Sequence, residues 1–142
     1  MAASARSRKE SENRAAIGLE AAVAGLRNEI QLRPGDGGLY SNYGRLLGYL
    51  GRHDEAIEAC RKAINLNPND GGAHYNLGNS LAAQARLRDA LAAFNEARRL
   101  DPSLSESRQW QLLYGAAANG DRPDQYHYIH DGYGDGPVFF KP

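Results

Sequence analysis

The chain has 142 residues, enough for one ordinary domain and too few for two large ones. Seventeen basic residues balance seventeen acidic ones, so no net field steers the molecule onto nucleic acid or an anionic membrane, and an apolar share of 42% allows a core of modest size. The single cysteine, Cys60, excludes an internal disulfide, and no apolar run approaches the roughly 20 residues needed to span a bilayer. The first residues, MAASARSRKESEN, are basic and lack the apolar segment of a secretory signal, so a cytoplasmic protein is expected.

Residues 1–14 are expected to be a flexible N-terminal segment, since 3–14 present no apolar face; any helix there is missing or merged into one long helix. Leu19, Ala22, Val23, Leu26 and Ile30 then form an apolar stripe at helical spacing, and Pro34 ends it. Residues 37–70 and 71–104 align without gaps. Eleven of the 34 positions are identical, among them Asn42/Asn76, Gly44/Gly78, Leu47/Leu81, Arg52/Arg86, Ala56/Ala90, Ala63/Ala97 and Pro68/Pro102. Average residue usage gives roughly two or three by chance. A period of this size means stacked supersecondary units.

Each unit reads as two helices. Tyr40, Tyr43 and Leu47 share one face of the first, as do His74, Leu77 and Leu81 in the next copy. A mid-helix glycine costs about 1 kcal/mol against alanine, so Gly44 and Gly78 predict close approach of a facing helix. Gly51 and Arg52 mark a turn, and Asp54 and Glu55 suit the start of the second helix and its dipole. Ala56, Cys60 and Ala63 match Ala90, Phe94 and Ala97 on the packing face of that helix.

This pattern resembles the tetratricopeptide repeat family. In the second copy Leu77, Gly78, Leu81, Ala90, Phe94, Ala97 and Pro102 stand at the expected places; the first departs with Cys60 where a larger aromatic is usual. The resemblance implies an all-α solenoid of stacked helix-turn-helix repeats, with full repeats at 37–70 and 71–104. Half repeats at 15–36 and 105–120 would serve as caps, because such units cannot bury their faces alone. The segment ESRQWQLLYGAAANG supplies the last half unit, with Trp110, Leu113 and Ala117 on one side.

The resemblance also implies a function in protein–protein interaction, with a protein or peptide partner in the concave groove lined by the first helices. Asn42 and Asn76 would form a row along it, with Arg45, Tyr49, Tyr75 and Asn79 beside them. The NLGN stretch from Asn76 to Asn79 is similar to repeats of O-linked N-acetylglucosamine transferases, where an asparagine ladder holds peptide main chain. An amide suits that task because it offers both an acceptor and donors. Ser41 and Tyr75 stand where carboxylate-clamp members carry lysine, which argues against a clamp.

No catalytic residue, metal site or cofactor is expected. Cys60 occupies a core position, no serine sits in a nucleophile elbow, and the glycines show neither GxGxxG nor Walker spacing. His127, His130 and Asp131 lie on one segment without fixed geometry, and DGYGDG lacks ligands of a calcium loop at Tyr133 and Pro142. Two other roles stay open: a regulatory or substrate-recruiting arm of a transferase, and a self-assembling unit joined through its terminal half repeats or tail. The tail at 121–142 is aromatic and glycine-rich, too apolar for a solvated linker. It is expected to fold back in extended form over the last helix, with the groove also within reach.

Overall fold

The computed structural model describes residues 2–106 together with 127–129 and 138–140. Five α-helices follow in order: α1 (Ala2–Leu32), α2 (Gly37–Tyr49), α3 (His53–Leu66), α4 (Gly71–Ala83) and α5 (Leu87–Leu100). A short 3₁₀ turn at Pro102–Glu106 comes next. Helix α2 pairs with α3 and α4 with α5, while α2 and α4 lie side by side. The expected all-α repeat solenoid is the architecture of these residues.

The 34-residue period reappears in the backbone. Helices α2 and α4 both close in a Schellman motif, with Gly51 N donating to the Gly48 carbonyl and Arg52 N to that of Leu47, and Ala85 N and Arg86 N doing the same to Ala82 and Leu81. The turn residue must take positive φ. Gly51 does so at 77° and Ala85, one period later, at 59°. Arg52 and Arg86 then precede α3 and α5 with nearly the same torsions, and each bonds an acid three residues on, Glu55 and Asp89. The N-caps of α2 and α4 are also one period apart. Asp36 accepts from Gly38 N and Asp70 from Ala73 N, both at 3.0 Å.

Two clusters make the core. In the first, Val23 of α1 meets Leu47 of α2 and Ala56 and Ala59 of α3, with Tyr43, Leu46 and Leu50 packed against them. In the second, Ile57 of α3 reaches into the next repeat to join Leu81, Ala82, Leu87, Ala90, Ala93 and Phe94. Burying a side chain the size of Leu47 or Phe94 contributes about 1.5–3 kcal/mol. The mid-helix glycines have the expected cause. A Cβ on Gly44 would stand 2.5 Å from Cys60 Sγ and 3.1 Å from the Ala56 carbonyl oxygen, and one on Gly78 would stand 2.6 Å from two ring carbons of Phe94.

Residues 2–14, expected as a flexible segment, continue α1 as helix, so the merged form is the one adopted. Alanine, arginine, lysine and glutamate favour helix there, and Arg6 meets Glu10 at 3.7 Å one turn on. The stripe that rests on the repeats is Leu19, Val23, Leu26 and Ile30; Ala22 is exposed. Arg52 Nη1 lies 3.7 Å from Glu20, tying α1 to the start of α3. The half repeat expected at 105–120 lies outside the described residues beyond the 3₁₀ turn. In the tail, β1 (His127–Ile129) and β2 (Val138–Phe140) pair antiparallel, with Tyr128 opposite Phe139, and β1 runs beside α4.

Candidate binding groove

The first helices of the two full repeats, α2 and α4, present the six expected groove residues, and these fall into two groups. On α2, Asn42 and Arg45 are exposed and Tyr49 is 48% exposed. On α4, Tyr75, Asn76 and Asn79 are half-buried. The difference follows from position in the stack. Helix α4 has α2 as a neighbouring first helix, whereas α2 has no first helix before it, because α1 supplies only the second-helix element of the preceding unit.

Asn76 shows what the row does within the fold. Its Nδ2 donates to the Ser41 carbonyl oxygen of α2 at 3.4 Å, a long bond that joins the two first helices. Asn42, its counterpart, has no preceding first helix to bond. Among the described residues its side chain makes no hydrogen bond, and Arg45 forms no ion pair, so one amide and one guanidinium are displayed on α2.

Tyr75 is half-buried and packs against the second core cluster. Its ring meets Phe94 with centroids 5.6 Å apart and planes inclined at 52°. Phe94 in turn covers Gly78, so the stack Gly78–Phe94–Tyr75 sets the floor beneath this part of α4. One turn on, Asn79 Oδ1 is buried with no hydrogen-bond partner among the described residues. A buried acceptor left unpaired costs about 1–3 kcal/mol. Sequence placed Asn79 on this face but could not show that its oxygen is orphaned.

Several charges on and beside α3 and α5 are committed to pairs within their own repeat. The Arg52 guanidinium, bonded through Nη2 to Glu55 at 2.6 Å, holds that carboxyl below its usual range, and Arg99 does the same to Glu96. Gln84 Nε2 donates to Asp54 Oδ1 at 2.6 Å and links the end of α4 to the start of α3. Cys60 is buried against Gly44, and desolvation pushes its thiol up to about 12, so it is a packing residue. Among the described residues, no three His, Cys, Asp or Glu side chains converge. His130 and Asp131 lie outside those residues, as does DGYGDG. No helix among the described residues is long and apolar enough to cross a membrane.

The paired helices, the shared torsions and the small residues at the helix crossings meet the sequence model of the tetratricopeptide repeat, which matches residues 42–105 and 75–121, more than half of the chain. The chain belongs to the tetratricopeptide repeat family. Repeats of this family generally mediate protein–protein interaction and bind protein or peptide partners. Among solved structures, the TPR2B domain of yeast Sti1 in complex with pHsp70 is 28% identical, with a TM-score of 0.63, over 78% of this chain and 90% of that one. MamA from MSR-1 is 30% identical with a TM-score of 0.56, over 61% of this chain. This chain spans about half of that MamA, 49%. The TPR domain of Arabidopsis OM64, at 19% identity and a TM-score of 0.64 over 72% of this chain and 83% of that one, shares the fold. No curated protein matches the sequence.

Proposed function

We propose that the chain is an interaction adaptor that receives an extended peptide segment in the groove formed by α2 and α4, holding its main chain through asparagine amides. The observation that carries this is the buried Oδ1 of Asn79, an acceptor on a first helix with no hydrogen-bond partner among the described residues, to which an incoming peptide N–H would donate. Asn42 adds an uncommitted amide on α2, Arg45 a cation for an acidic or carbonyl group, and Tyr49 and Tyr75 flat apolar surface. The likeness of Asn76 to Asn79 to O-linked N-acetylglucosamine transferase arrays supports a main-chain grip. The pHsp70 complex of Sti1 supports a peptide as the class of partner. The adaptor works in the cytoplasm, without a catalytic step of its own.

The test uses a partner captured from the native host and reduced to peptides on an array. Asn42→Ala combined with Asn79→Ala should weaken the best peptide by about 1–3 kcal/mol, a factor of roughly 5 to 150. Asn76 is left intact because its bond to Ser41 also joins α2 to α4. Unchanged affinity in a double variant of unchanged Tm would remove the groove from the interface.

A further inference from the structure

We propose that α1 pairs two copies of this chain antiparallel about a twofold axis, the partner's α1 filling the place where a first helix would pack on α1. The pairing does not rest on the groove proposal.

In both full repeats the second helix receives its first helix at the same positions. A Cβ on Gly37 would meet the Ala63 carbonyl oxygen and Leu66, and one on Gly44 would meet the Ala56 carbonyl oxygen and Cys60. One period on, Gly71 faces the Ala97 carbonyl and Leu100, and Gly78 faces Phe94. One period back, the receiving positions on α1 are Ala22, Leu26, Glu29 and Leu32. Leu26 is half-buried and the other three are exposed, Leu32 at 82%. Residues 3–15, one period before α2, continue α1 instead of folding back over this face.

The face fits a second copy of itself. Toward the N-terminus it runs on at spacings of three and four through Gly18 and Ala15 to Ser11 and Arg8, all exposed. With Gly25 these positions follow a heptad, the pattern of one helix lying along another. Gly18 and Gly25 stand inside the helix at a cost of about 1 kcal/mol each. Among the described residues nothing lies within 4 Å of the Cβ either would carry. Gly44 and Gly78 offset that cost by the approach of a facing helix, which a second α1 supplies to Gly18 and Gly25. In the antiparallel pair Gly18 lies across from the partner's Ala22, and Ala15 across from the partner's Gly25, so the two backbones come close at the centre. Toward the ends Leu32 covers the stem of the partner's Arg8, Glu29 meets the partner's Ser11, and Glu12 comes beside the partner's Arg33. A parallel pair would set Arg8 on Arg8 and Glu29 on Glu29, so charge selects the antiparallel direction.

The length of α1 agrees. It has 31 residues where α3 and α5 have 14. Residues 6–18 are exposed throughout, an overhang of roughly 20 Å at the rise of a helix. A helix gains most of its stability in water from packing, which this overhang lacks within its own chain. In the pair it lies along the half of the partner's α1 that carries the partner's repeats, and the two repeat bodies stand at opposite ends. The contact is isologous and closes at two copies.

Two measurements on the full chain test this. Sedimentation equilibrium should give twice the mass of one chain. Ala22→Arg, a change at an exposed site, should halve that mass and leave the far-UV circular dichroism per residue unchanged. A monomer at every concentration, masses that climb past two copies, or a dimer that survives Ala22→Arg would overturn the proposal. Direction is read by oxidative cross-linking, in which Cys60 is buried and takes no part. Chains with Ala15→Cys mixed with chains with Gly25→Cys should form a mixed disulfide, and neither should link to itself. Self-linked Ala15→Cys chains, or no mixed product, would overturn the antiparallel pair. Neither measurement involves a peptide, so this proposal and the groove proposal fail on separate results.

Discussion

Ala85 is an alanine doing the work of a glycine, and replacing it should stabilise the fold. It holds φ at 59° in the Schellman turn that ends α4, where the equivalent residue one repeat earlier is Gly51 at 77°. A residue with a Cβ costs about 1–2 kcal/mol in this region, and glycine enters it freely. Against that, glycine loosens the unfolded chain by about 0.4–1 kcal/mol. The Ala85 methyl is exposed, so its removal gives up no buried surface. The balance for Ala85→Gly is a gain of about 0.5–1 kcal/mol, which for a domain of this size raises Tm by about 2–6 °C. Gly51→Ala should show the mirror loss. Thermal melts followed by circular dichroism, with urea titrations of unchanged slope, measure both. An Ala85→Gly protein no more stable than its parent, together with a neutral Gly51→Ala, would refute the assignment of strain to this turn.

Three other variants probe the repeat. Gly78→Ala should destabilise despite better helix propensity, because its Cβ would fall 2.6 Å from the Phe94 ring; overpacking of about 1–3 kcal/mol outweighs a propensity gain of about 1 kcal/mol, and a rise in Tm would contradict the packing. Asp70→Ala removes the acceptor for Ala73 N and should cost about 1 kcal/mol in chemical denaturation, with Asp36→Ala behaving alike. Cys60 should resist alkylation in the native protein at neutral pH and react on unfolding, since burial holds its thiol near 12; fast native labelling would show that the α2–α3 contact opens readily.

Much of this molecule can be read from its sequence, and the reasons are local. Gly44 and Gly78 announce close contacts because a glycine inside a helix has a cost that only packing explains. The boundaries of α3 and α5 follow from the turn before Arg52 and Arg86 and the prolines at 68 and 102. Other features are silent at the level of one residue. The caps Asp36 and Asp70 share the run Asp-Gly-Gly, a signal lost when the repeat is cut between Asp36 and Gly37. Alanine gives no hint of positive φ, so Ala85 stands out only beside Gly51. In the groove, spacing puts Asn42, Asn76 and Asn79 on one face of their helices, yet only coordinates separate their states. Asn76 is bonded to Ser41, Asn42 is displayed, and the Asn79 oxygen is orphaned. Those states depend on the neighbouring helix, which no residue encodes by itself.

The stacking of neighbour on neighbour has a kinetic consequence. Helices α2 to α5 make their main contacts with the next helix or the next but one. Chains built from such short-range contacts fold quickly, because little loop entropy is lost before contacts form. They also unravel from the ends, one unit at a time, since each unit rests mainly on its neighbours. Across the junction of the two full repeats α4 packs on both α3 and α2, and the ties include Ile57 in the second core cluster, Gln84 on Asp54, and the long bond from Asn76 to Ser41. A peptide gripping α2 and α4 together would add a tie at this seam. Occupancy would then be written into the fraying rate of the array, and slowed amide exchange along α4 and α5 would report a bound partner far from the atoms that touch it.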